Sequence, residues 1–286
     1  MSADYSKPEL SSQEADSPPA QPPLRLPRRG VFTARFLLRS GEFAGKMEKR
    51  LHGLVSEKTA DEHIRAMEAY VATLREMGVA VADTAFRKVP AGRGWVVTLF
   101  QEEFDKDELL ATIISTAEKE TCLNVFESAL REGIKGVDWK RAHDVPGKDE
   151  LGFHASLRNW AVRGGKLYFL DLTPPLRRVN GRTYPLTFLK HIPRRFTIIP
   201  SLALRDVFFR LASRDSFAMP VMIAGCLTSA IARRPELENE FRNRAIAVIE
   251  DRIPAPERAV YLAKISAKRL SLHRRLNRAI RNLFRS

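Results

Sequence analysis

The chain has 286 residues, a formal net charge of +14, 44% hydrophobic and 29% charged residues. That is length for one large domain or two modest ones, and a surface basic enough to attract nucleotides, nucleic acid, acidic lipid or an acidic protein. The two cysteines, Cys122 and Cys226, lie in separate apolar helical stretches with no CxxC or Cys/His cluster, which argues against structural zinc and a disulfide framework.

Residues 1–29 are rich in Pro and small polar residues and cannot bury enough apolar surface to offset their ordering entropy, so they read as a disordered tail. The start of the chain lacks an apolar signal core, and with the scarce cysteines this predicts a cytoplasmic protein. Residues 31–38 read as a strand, 40–45 as a glycine-bearing turn and 46–51 as a second strand. Thr59-Ala60-Asp61-Glu62 carries helix-opening chemistry. Ile64, Met67, Val71 and Leu74 continue an apolar stripe at helical spacing, and Gly78 ends it. Residues 79–88 and 95–100 predict two strands joined by a turn at 90–94, followed by an acidic connector at 101–103 and helix from about 106 to 133. After a hairpin at 160–170 the chain is irregular through 200. Helices are then predicted over 202–214, 220–233, 236–250 and 256–284. The most apolar stretch, 217–232, contains Pro220 and is shorter than the roughly 20 residues of a membrane span, so it reads as a buried helix.

Residues 152–178, GFHASLRNWAVRGGKLYFLDLTPPLRR, carry the chemistry. Asn159 precedes Asp171 by twelve positions, with Gly164-Gly165 and an apolar run between them. A hairpin there would bring a carboxamide and a carboxylate together as a hard-oxygen pair suited to Mg²⁺ on a nucleotide's phosphates. Taken singly, Asn159 could cap a turn and Asp171 could end a strand; the joint spacing is what favours a site.

This layout resembles the protein-kinase-like superfamily, in particular its aminoglycoside-phosphotransferase and small-molecule kinase branch, over about residues 30–250. The resemblance implies an α+β, two-lobed protein-kinase-like fold: a small antiparallel-sheet N-lobe at 30–104, a mainly helical C-lobe at 105–255 and a basic helix at 256–286. It implies ATP and Mg²⁺ in the cleft, with Asn159 and Asp171 on the metal and a hydroxyl of a small molecule or peptide as acceptor. Lys49 matches the phosphate-gripping lysine of the third strand, with Lys46 as its alternative if the register slips. Glu68 would be the helical acid that orients Lys49, with Glu62 as runner-up. Gln101, Glu102 and Glu103 would be the hinge that meets adenine through backbone groups, and 40–45 the phosphate-covering loop. The position five before Asn159, where the pattern places a catalytic Asp, is His154. An imidazole can accept a proton near neutral pH but lacks a carboxylate's charge. Two readings follow: an atypical phosphotransferase with His154 as base or positioner, or a nucleotide-binding pseudokinase that acts as a scaffold.

Arg177 and Arg178, after the Pro174-Pro175 step, read either as phosphate or acceptor contacts or as surface charge. Beyond Glu257 the chain has no acid, and the apolar positions Leu262, Ile265, Leu272, Leu276, Ile280 and Leu283 form a stripe. Such a helix could meet an anionic membrane or an acidic protein, or simply pack on the larger domain with a solvated basic side. No motif supports specific nucleic-acid binding.

Overall fold

The computed structural model describes residues 24–26, 33–39, 41–51, 55–143, 150–152, 156–172, 175–179, 182–183 and 218–267. The first half is built on a five-stranded antiparallel sheet of order β1-β2-β3-β5-β4, with β1 at Leu24–Leu26, β2 at Thr33–Leu37, β3 at Lys46–Leu51, β4 at Thr84–Ala91 and β5 at Gly94–Glu102. β1 lies inside the segment the composition marks as a disordered tail, so that boundary is corrected: Leu24 and Leu26 pair with Leu37 and Arg35 across a ladder that local composition does not reveal. Gly92 and Arg93 close the β4–β5 hairpin, a tighter turn than the sequence pattern predicts. Pro90 is accommodated because β4 is an edge strand, where a missing N–H leaves no ladder bond unmade.

Helix α1, Glu57–Glu76, crosses from β3 to β4 and packs on β4 and β5. It opens at Ser56, whose hydroxyl accepts the Thr59 amide at 3.2 Å, three positions before the sequence expectation. It ends in a Schellman turn: Gly78, at φ 74°, donates to the Arg75 carbonyl, and Val79 donates to that of Leu74. The buried face is Ala60, His63, Met67, Tyr70, Val71 and Leu74.

Helix α2, Leu110–Thr116, leads into the long helix α3, Lys119–His143. Gly133 does not end α3, contrary to the pattern. It and Gly136 instead let the methyl ends of Met222 and Met219 approach to 3.4 and 3.3 Å of where a Cβ would stand, so small size rather than helix breaking explains both. Those methionines belong to α4, Met219–Ile231, which packs on α3 and on α6, Ala255–Ser266; α5, Glu238–Arg252, completes the group. Phe126 of α3 meets Phe241 of α5 edge to face at 4.8 Å. A single apolar cluster runs from Leu51 to Ile265, so sheet and helices share one core.

Between α3 and α4 lie β6 (Glu150–Leu151), the hairpin β7 (Trp160–Arg163) and β8 (Lys166–Phe169), then β9 (Arg177–Val179) and β10 (Arg182–Thr183). β6 pairs with β9, enclosing the hairpin between them in sequence. No described helix is long and apolar enough to cross a membrane. The basic C-terminal segment is described to residue 267: of the predicted stripe Ile265 is buried and Leu262 half-buried against the core, while Leu272, Leu276, Ile280 and Leu283, like the helix predicted at 202–214, lie outside the described residues.

Candidate functional site

The hairpin fixes the centre. Gly164 and Gly165 have φ of 57° and 75°, the pair of positive values a type I′ turn demands. This sets the register Trp160 opposite Phe169, and the ladder runs one step further because the Leu170 amide donates to the Asn159 carbonyl at 2.8 Å. Asn159 and Asp171 therefore leave the open end of the hairpin together. The Asn159 Nδ2 donates to Asp171 Oδ2 at 3.0 Å. Asn159 is buried at the end of a short 3₁₀ turn, Leu157–Asn159, while Asp171 is half-buried.

From the other side, β3 delivers Lys49. Side chains alternate across a strand, so Lys49 shares its face with Met47 and Leu51, as Gln101 shares its own with Leu99 on the neighbouring β5. The Lys49 ammonium donates to Gln101 Oε1 at 2.5 Å and to the carbonyl of Leu170, the residue before Asp171, at 3.1 Å. Gln101 is fully buried, and its Nε2 has no hydrogen-bond partner among the described residues. Tyr70 of α1 closes the back of the centre by donating to the Gly152 carbonyl at 3.1 Å. Burial, then the negative charge of Asp171, pushes the Tyr70 phenol far above its usual range, so it keeps its proton.

The tip of the hairpin is tied to the connector. Arg163 forms ion pairs with Glu102 and, at 2.5 Å, with Glu108; it donates to the Glu103 carbonyl at 2.9 Å, and its guanidinium lies 4.3 Å over the Phe104 ring. The base is tied to the strand approach, where the Phe169 amide donates to the Ala80 carbonyl at 2.8 Å.

Lys49, Asn159, Asp171 and Gln101 are thus brought together. Three expectations are corrected. Glu68 is exposed and forms no ion pair among the described residues, as is also true of Glu62; the buried face of α1 turns His63, Met67 and Tyr70 inward, and Lys49 donates to an amide and a carbonyl. Lys46 pairs with Asp83 at 2.5 Å and is not at the centre. The turn at 41–45 covers the opposite face of the sheet, because Phe43 stacks at 4.0 Å on Phe100, whose side chain points away from that of Lys49. Gln101 joins the centre through its side chain, and the Glu102 amide is engaged by the Asp83 carbonyl at 2.8 Å. His154 lies outside the described residues, as do the side chains of Arg177 and Arg178. Tyr70 is the residue the stripe analysis overlooked: it falls three positions after Met67, and a hydroxyl on an apolar face signals an internal acceptor.

The donor set fits a hard divalent cation. Mg²⁺ takes one or two protein oxygen ligands plus substrate phosphates and water, and the Asp171 carboxylate and the carbonyl oxygen of the Asn159 amide are oxygens of that kind. Among the described residues no group of three or more His, Cys, Asp or Glu could hold a metal ion.

A solved choline/ethanolamine kinase family protein from Mesorhizobium loti is similar to this chain at 13% identity, over 86% of this chain and 92% of that one, with a TM-score of 0.28, a likeness that carries no argument. No curated protein matches the sequence. The model of DUF6206, a family of unknown function, matches residues 16–281, and the chain belongs to that family.

Proposed function

We propose that this chain binds a magnesium complex of ATP between β3 and the β7–β8 hairpin and transfers the terminal phosphoryl group to a hydroxyl of a small molecule or peptide. The observation that carries this reading is the meeting of the Asn159–Asp171 pair with Lys49, whose ammonium rests on the carbonyl just before Asp171. The order of elements agrees: a lysine on the third strand of an antiparallel sheet, a helix before the fourth, then a hairpin bracketed by an amide and an acid. The sheet with α1 and the helices α2–α6 are the two lobes of a kinase-like arrangement in this reading.

Magnesium, when bound, neutralises charge on the bridging phosphate oxygens. Lys49 orients the phosphates, Gln101 orients Lys49, and Asn159 and Asp171 supply the cation's protein ligands. In the transfer the acceptor oxygen bonds to the γ-phosphorus, the bond to the β–γ bridging oxygen breaks, ADP leaves and the hydroxyl proton passes to a base. His154 is the residue proposed for that base. The imidazole in place of a carboxylate favours a second reading, in which nucleotide binds but no phosphoryl moves.

Thermal denaturation with ATP or ADP, with and without Mg²⁺, alongside ADP release in the presence of hydroxyl acceptors, tests both. Stabilisation that needs nucleotide and metal together, about 2.7 kcal/mol at one hundred times Kd, supports binding. Turnover then selects the transferase, and its absence across acceptors the pseudokinase. No stabilisation overturns both.

A further inference from the structure

The end of α3 and the starts of α4 and α6 enclose a cavity of about 470 Å³. Val137, Met219, Pro220 and Val260 give it apolar walls, and Val260 is left 56% exposed. Polar capacity gathers at the same place. Lys140 lines the cavity half-buried, and it forms no hydrogen bond or ion pair among the described residues. Tyr261 lines it too, only 5% exposed, and its hydroxyl likewise has no partner among the described residues. Burial, then the negative charge of Glu257, pushes the Tyr261 phenol up to about 12, so it keeps its proton and can donate. α4 opens into the cavity uncapped: Ala218 offers no side-chain acceptor, the first turn holds no acid, and the Met219 amide has no carbonyl of its own helix to meet. Glu257, the acid of the lining, is already engaged, because Arg141 donates to its two oxygens at 3.0 and 3.3 Å. With that pair cancelled, Lys140 leaves the lining with one positive charge in excess.

We propose that this cavity binds an amphipathic carboxylate. Lys140, the Tyr261 hydroxyl and the open start of α4 take the anionic group, and Val137, Met219 and Val260 take the hydrocarbon body. A helix start, an unpaired ammonium and a protonated phenol all supply donors to an anion. One excess positive charge matches one carboxylate. A small anion alone would leave the apolar walls uncovered, whereas a hydrocarbon body removes them from water. None of the lining residues belongs to the centre at Lys49 and Asp171, so the site is independent of the nucleotide reading.

Calorimetric titration at fixed ionic strength and without nucleotide, using octanoate, acetate, octan-1-ol and octylammonium, tests it. The expected result is one octanoate per chain, with each of the other three bound about tenfold or more weakly. Lys140→Gln and Tyr261→Phe each weaken octanoate about tenfold. Tyr261→Phe melts close to wild type, because the hydroxyl it removes has no partner among the described residues. Arg93→Gln, which removes a positive charge from the exposed β4–β5 turn, leaves octanoate affinity unchanged. Acetate binding as tightly as octanoate overturns the apolar half of the site, and octan-1-ol or octylammonium doing so overturns the anionic half. No octanoate binding, or wild-type affinity in either the Lys140 or the Tyr261 variant, overturns the site altogether.

Discussion

Arg163 ends β7 and Arg158 lies in the 3₁₀ turn just before that strand, five positions away, and their surroundings are opposite. Arg163, at the tip, is enclosed by two carboxylates, a carbonyl and an aromatic face. Arg158, at the base, pairs with no acid among the described residues, and the same end of the hairpin holds a carboxamide against a carboxylate, with a lysine that donates to a neutral amide whose Nε2 has no partner among the described residues. A saturated network holds the hairpin against the connector. At the other end the buried Gln101 Nε2, without a partner among the described residues, leaves polar capacity for a ligand.

The largest effect expected from breaking this contrast is at the base. Asp171→Ala should remove Mg²⁺-dependent nucleotide stabilisation and lower turnover about 10³-fold, while the unliganded protein melts within a few degrees of wild type. A melt by calorimetry and an ADP-release assay decide it. A variant with wild-type nucleotide response would leave the base with no role.

Acid should attack the two regions at different pH. His63, on the buried face of α1, is held neutral by burial, its pKa lowered to about 3. A histidine whose folded pKa is depressed contributes stability that is whole above its unfolded value near 6.5 and is lost as pH falls toward 3, by up to about 1.4 kcal/mol per pH unit. The Glu108 carboxyl is held below the ordinary range by its hydrogen bond to Arg163, so the tip's contribution stays intact until pH falls below the usual carboxylate values. Denaturant midpoints between pH 7 and 3.5 should thus decline in two stages, with His63→Leu flattening the first and Arg163→Met the second.

Tyr70→Phe should cost about 1–1.5 kcal/mol, because it leaves the Gly152 carbonyl unmatched behind the centre, and should weaken nucleotide binding by less than Asp171→Ala does. Urea denaturation measures the first part and thermal shift the second. The smallest effect is at the tip. Arg163→Ala should cost about 1 kcal/mol at low salt, less at 1 M salt, and leave nucleotide affinity within a few-fold of wild type, since its ion pairs are partly exposed.

Most of the centre was legible because hairpin geometry is local. Gly164-Gly165 accommodates the two positive φ values of a type I′ turn, the turn fixes the register, and the register brings Asn159 beside Asp171. Lys49 was legible from its place on a strand near the start of the sheet. Glu68 misled because a charge-rich helix does not declare its rotation until the buried stripe is anchored, and that stripe proved to include His63 and Tyr70. Gln101 was read for its backbone because strand alternation assigns a side chain to a face without saying what occupies that face.

The chain by itself determined the succession of elements, the turn at Gly164-Gly165, the end of α1 at Gly78 and the meeting of an amide with an acid, since each depends on backbone preferences of a few neighbouring residues. Tertiary structure alone decided that β1 extends the sheet into a proline-rich segment, that Gly133 and Gly136 serve close helix packing, that Gln101 holds Lys49, and that Arg163 is paired with acids while Arg158, among the described residues, is not. Those outcomes depend on contacts between residues tens of positions apart, whose energies arise only once the shared core has fixed the facing surfaces.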